Sequence, residues 1–165
     1  MNTRIATAVV IGLAAIGGVF SALRAQTTRT VWDGVYTEAQ AKRGALIYDL
    51  ECASCHGPAG AGGGLAPALT GAAFSANYDG LTVGDLFERN LRTMPIGREG
   101  ELSRPQNADV TAYMLECNKF PAGKEELPTR AQALGQIKYV ATRPETTPES
   151  RPPDLHQDDI PAGRQ

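Results

Sequence analysis

Large aromatic side chains are scarce in this chain: Phe, Trp and Tyr make up 6% of its 165 residues. A core so poor in rings is small, and a buried cofactor would supply the missing apolar bulk. Basic runs are absent too. The Lys and Arg residues are scattered and the net charge is −2, so the chain lacks the electrostatic footprint of a nucleic-acid binder. Cysteines number three, an odd count that does not close a disulfide framework. Two histidines and three methionines leave few soft or nitrogen donors for a metal. No acid, base or nucleophile constellation stands out. Glu125-Glu126 and Asp158-Asp159 read as solvated charge pairs. What is present is an ordinary globular hydrophobic content of 42% and a length suited to one modest domain with extensions.

The extensions come first. Residues 1–25 have the layout of an export signal: Arg4, an uncharged apolar run from Ile5 to Phe20, and small residues up to Ala25. The sixteen-residue run is shorter than the roughly 20 residues a spanning helix needs, which favours cleavage over anchoring. Either fate puts the domain outside the cytoplasm. Cleavage would also remove Arg4 and Arg24 and no acid, taking the net charge from −2 to −4. At the other end, residues 124–165 are polar and interrupted by proline, and read as an extended or disordered tail. Within it, 131–140 has the makings of a short helix or a strap.

Between these ends, 26–34 reads as an extended lead-in and 35–123 as the domain. A helix is expected from Thr37 to about Leu50, opened by a Thr37-x-x-Gln40 capping box, with Ala41, Gly44, Ala45 and Tyr48 on one face. Gly57 to Gly64 reads as a flexible loop and Leu65 to Asn77 as irregular. A short helix is expected over 82–91, with Val83, Leu86, Phe87 and Leu91 inward. After a Gly- and Pro-containing loop, a last helix begins near Ser103 with a second box, Ser103-x-x-Gln106, and Pro105 in its first turn. Val110, Tyr113, Met114 and Cys117 share its inner face, and Asn118 and Pro121 end it.

Cys52-Ala53-Ser54-Cys55-His56 is a C-x-x-C-H sequence, the attachment signal for c-type haem. Two thiols three positions apart on a helical turn can add across the two vinyl groups of the porphyrin, and the adjoining histidine then lies under the iron. A thioredoxin-like pair would want a strand ahead of the motif, where a helix is expected. A structural zinc site would want further ligands at finger-like spacing, and the other histidine, His156, lies in the tail. For the opposite face of the iron, Met1 belongs to the signal and Met114 to the inner face of the last helix. Met94, in Thr93-Met94-Pro95, lies 38 positions beyond His56 on a segment able to fold over that face. A protein ligand there closes the iron and favours electron transfer, whereas an open position favours gas binding or catalysis.

Taken together, residues 35–122 resemble the single-haem class I cytochromes c. Gly44 and Tyr48 match the Gly and aromatic of that family's first helix, and Tyr113 the aromatic of its last. Leu65-Ala66-Pro67-Ala68-Leu69-Thr70-Gly71 resembles its P-x-L-x-G segment, and Thr93-Met94-Pro95 its sixth-ligand loop. The resemblance implies an all-α fold of three to four core helices around one haem c. It implies that the Pro67 carbonyl accepts the proton on the far nitrogen of His56, and that Met94 ligates the iron opposite His56. Val31-Trp32-Asp33-Gly34-Val35-Tyr36-Thr37 and Phe120-Pro121-Ala122-Gly123 look like bacterial cytochromes associated with quinoprotein (PQQ) dehydrogenases. The implied role is electron transfer in the periplasm between a dehydrogenase and a terminal acceptor, not catalysis. A haem subunit bound permanently to a dehydrogenase complex and a haem-based ligand sensor are the alternatives. Cys117 departs from the family pattern and reads as a buried small hydrophobe.

Overall fold

A computed structural model of the protein describes residues 29–145. The expected export signal at 1–25 and His156 lie outside that range. The described chain is mostly helical. Strand β1 (Arg29–Thr30) leads into helix α1 (Glu38–Glu51), then the four-residue α2 (Ala53–His56). Helices α3 (Gly71–Tyr78), α4 (Val83–Thr93) and α5 (Arg104–Cys117) follow, with the short α6 (Ala131–Leu134) and strand β2 (Ile137–Lys138) at the end. The two strands pair in parallel, Arg29 beside Ile137 and Thr30 beside Lys138.

Local chemistry explains where the helices start. Thr37 caps α1 by accepting the Gln40 N–H at 3.1 Å. The reciprocal half of the expected box is missing: the Gln40 side chain turns inward and bonds both backbone groups of Leu127, at 3.1 and 2.6 Å. A buried tertiary partner has outcompeted the local one. Ser103 and Gln106 do form the complete box at α5, and Thr82 and Asp85 form another at α4. Helix α4 runs two residues beyond its expected end, to Thr93.

The region from Leu65 to Asn77, expected to be irregular, holds all but the last residue of α3. Its sequence, GAAFSANY, is dominated by small residues and shows no apolar stripe beyond Phe74 and Tyr78, which are i,i+4 neighbours with ring centroids 4.9 Å apart. The Gly-rich segment is also more ordered than its composition suggests. It carries a 3-10 turn at Pro58–Gly60. It is tied down by hydrogen bonds from Gly62 N–H to the His56 carbonyl at 2.7 Å and from Leu69 N–H to the Gly60 carbonyl at 2.8 Å.

Helices α1 and α5 make the central crossing. A β-carbon on Gly44 would lie 1.9 Å from the Asp109 carbonyl oxygen, so this position must be glycine for the helices to touch. The tilted rings of Tyr48 and Tyr113 pack beside the crossing with centroids 5.2 Å apart. Arg43 fixes the crossing from outside, binding Asp109 on α5 through two nitrogens and reaching Glu126.

The core extends past residue 123. Leu127, Leu134, Ile137 and Tyr139 are all buried, the last of them completely. Tyr139 packs against Phe120, Tyr78 and Phe74, and its hydroxyl bonds Ser75 at 3.1 Å. The strap is pinned at its end by Trp32 Nε1–H, which donates to the Val140 carbonyl at 2.8 Å, and by Ala141 N–H on the Asp79 carboxylate. Among the described residues, no helix is long and apolar enough to cross a membrane.

Candidate functional site

Cys52 sits where two helices meet. Its N–H closes α1 on the Tyr48 carbonyl at 2.8 Å, and its own carbonyl accepts the N–H groups of Cys55 and His56 to start α2. One turn of helix therefore carries both thiols and the imidazole. Gly57 (φ +74°) ends that turn, and a β-carbon there would lie 2.2 Å from the Gly62 carbonyl oxygen, so the Gly-rich loop can return directly beneath His56. Tyr48 holds the same corner, its hydroxyl donating to the Gly57 carbonyl at 2.9 Å.

His56 is buried, and its Nδ1 lies 2.8 Å from the Pro67 carbonyl oxygen. A carbonyl only accepts, so Nδ1 carries a proton, and in the neutral imidazole this leaves the lone pair on Nε2. The segment bearing Pro67 is anchored in turn. Asn118 at the end of α5 donates to the Leu69 carbonyl at 2.9 Å, and Thr70 Oγ1 donates to the Gly60 carbonyl at 3.0 Å.

These residues open onto a cleft of about 840 Å³ that Cys52, Cys55, His56, Pro67 and Met94 all line. Phe74, Tyr78 and Leu81 form part of its wall, and Asn90, Asn107, Val110 and Met114 another. Met94 caps the C-terminus of α4 in an extended conformation and is half-buried. Met114 sulfur is buried and taken by the Asn90 amide at 3.2 Å. Cys52, Cys55 and Cys117 are free thiols. Burial, then the neighbouring Glu51 and Cys55, push the Cys52 thiol up to about 11, so it is protonated at neutral pH. Burial also raises Cys117 above the ordinary thiol value.

The donor set suits a covalently held tetrapyrrole. Two thiols and a histidine presenting a free nitrogen share one wall, a thioether lies elsewhere on the lining, and most of the remaining surface is apolar. The Asn107 amide nitrogen donates to the Phe87 carbonyl at 2.8 Å, while its buried oxygen has no protein partner. Among the described residues, no cluster of three or more His, Cys, Asp or Glu side chains could hold a bare metal ion. Asn90 and Asn107 escaped the reading of the sequence. The available signal was a polar residue on an otherwise apolar helix face, three positions from Phe87 and from Val110 respectively.

Neither curated proteins nor solved structures give a match to this chain. A family model does match, over residues 39–114, and its description is cytochrome c oxidase, cbb3-type, subunit III. The matched stretch runs from α1 through the attachment motif to the cleft-lining face of α5. Over residues 39–114 the chain is thus similar to a c-type cytochrome domain, in keeping with the mostly helical fold of the described residues.

Proposed function

We propose that the protein is an exported single-haem electron carrier. Cys52 and Cys55 would hold haem c covalently, and His56 Nε2 and Met94 sulfur would ligate its iron. When bound, haem supplies a one-electron ferric–ferrous couple whose potential the axial ligands and surroundings tune. The chain's own residues do the rest. The Pro67 carbonyl orients the His56 ring and raises its basicity. Phe74, Tyr78, Val110 and Met114 exclude water from the cleft, and the α1–α5 crossing keeps its walls from moving between redox states.

The observation that carries this reading is the 2.8 Å contact from His56 Nδ1 to the Pro67 oxygen, next to two free thiols on one cleft wall. It is tested by producing the full-length protein in a bacterium equipped for cytochrome maturation. The expected product has a c-type optical spectrum and a mass raised by one haem, and Cys55→Ala leaves a single thioether. A colourless polypeptide at the mass of its amino acids would overturn the reading.

The export layout of residues 1–25 supports a periplasmic location. Partners would be a dehydrogenase, of quinoprotein type on the likeness of the flanking segments, and a terminal acceptor. The acidic balance favours docking to a positively charged surface, with affinity falling as salt rises. A second reading has the domain permanently held in a larger complex, and the description of the matched family as an oxidase subunit favours it. Size-exclusion chromatography of the native protein separates the two: a stable complex counts against the free carrier.

A further inference from the structure

Residues 95–101 follow Met94 as a nearly self-contained loop. Arg98 N–H bonds the Pro95 carbonyl at 2.9 Å, Glu101 N–H the Arg98 carbonyl at 3.1 Å, and Gly97 N–H the Glu99 carboxylate at 2.7 Å. Residues 96–101 are exposed throughout. Beyond its own bonds, the loop is fastened by Met94 at one end, where its N–H bonds the Asn90 carbonyl, and by half-buried Leu102 at the other. Between those points, among the described residues, one side chain reaches another element. Arg98 holds Glu101 within the loop at 2.9 Å with one nitrogen and grips Glu51 with a second. Glu51 is the last residue of α1 and adjoins Cys52. Both Arg98 and Glu51 line the cleft, so their ion pair ties the segment carrying Met94 to the wall carrying the attachment motif.

We propose that Arg98 and Glu51 form a latch that keeps the Met94 loop closed over the cleft and so sets how often the Met94 sulfur leaves the iron. They act as positioning residues, and the proposal rests on the reading of Met94 as the sixth ligand. The Glu51 side chain is about a quarter exposed and that of Arg98 half exposed, so the pair is partly screened. Partly exposed pairs are weak, so the expected change in the opening equilibrium is roughly threefold to fivefold.

The test uses the haem-loaded, full-length ferric protein and follows imidazole binding by stopped-flow absorbance at saturating imidazole, where loss of the methionine bond limits the rate. Glu51→Gln and Arg98→Gln are each expected to bind about three to five times faster than the parent. The exchanged pair, Glu51→Arg with Arg98→Glu, is expected to return most of the way to the parent rate, which a merely structural defect would not do. Raising salt should accelerate the parent toward the variants and leave the variants unmoved. Single variants at the parent rate, or an exchanged pair no slower than the singles, would overturn the latch. Met94→Ala serves as the reference for an open iron. A parent that binds imidazole as fast as Met94→Ala would instead overturn the ligand assignment, and the latch with it.

Discussion

Gln40 and Gln106 stand in the same place, three residues after a helix cap, yet they do different things. Gln106 bonds back to Ser103, as its spacing predicts, while Gln40 spends both ends of its amide on Leu127. Local patterns are legible when the side chain stays exposed, and become ambiguous when a buried backbone elsewhere in the fold can use the same group. Asp85 shows the local case. Its carboxylate accepts from the hydroxyl and N–H of Thr82, and those bonds hold it below the ordinary carboxylate value. A group depressed on folding contributes stability above its unfolded value, and that contribution is lost as pH falls through the folded one. Asp85→Asn is therefore expected to destabilise the protein by about 0.3–1 kcal/mol at pH 7. In denaturant titrations across acid pH the deficit should shrink toward zero, since both side chains are then neutral. Met94 makes a second prediction. Histidine in place of methionine favours ferric iron, so Met94→His should lower the midpoint potential. An unchanged potential in a redox titration would remove Met94 from the ligand set.

Among the elements, α1 and α5 are the most legible in the sequence and α3 the least. Gly44 and Tyr48 lie four apart on one face of α1, Tyr113 lies on the inner face of α5, and the structure brings them together at one contact. Helix α3 has no comparable signature, because six of its eight residues are small or polar and its burial comes from two rings alone. The crossing yields a prediction whose sign is not obvious from propensity. Alanine is favoured over glycine inside a helix by about 1 kcal/mol. At Gly44 the added methyl would meet the rigid backbone of α5 at Asp109, where overpacking costs about 1–3 kcal/mol or more. Gly44→Ala should therefore lower Tm, and Gly44→Val should lower it further. A rise in Tm for Gly44→Ala would show that the helices can separate freely.

At the scale of the whole molecule, the C-terminal strap changes what the domain is. Composition suggested that folding ends near residue 123, since the following stretch is polar and rich in proline. Its buried positions, Leu127, Leu134, Ile137 and Tyr139, are separated by polar and small residues and change from helical to strand spacing, so no sustained pattern marks them as core. The attachment motif, by contrast, was readable because covalent chemistry fixes its spacing locally. Tyr139 backs Phe74 and Tyr78, which line the cleft from the other side. Tyr139→Ala is thus expected to cost about 3–5 kcal/mol, read by denaturant unfolding. It should also loosen the cleft wall, read as a broadened haem absorption spectrum. A variant as stable as the parent would show that the strap is dispensable.

The parallel pairing of Arg29 with Ile137 has a topological result. Entry and exit of the folded backbone are neighbours, and Trp32 rivets them together through the Val140 carbonyl. Over the described residues the backbone is in effect a ring with a two-rung seam, so a single proteolytic nick at the exposed Ile96–Glu101 loop would leave two fragments still clasped to each other.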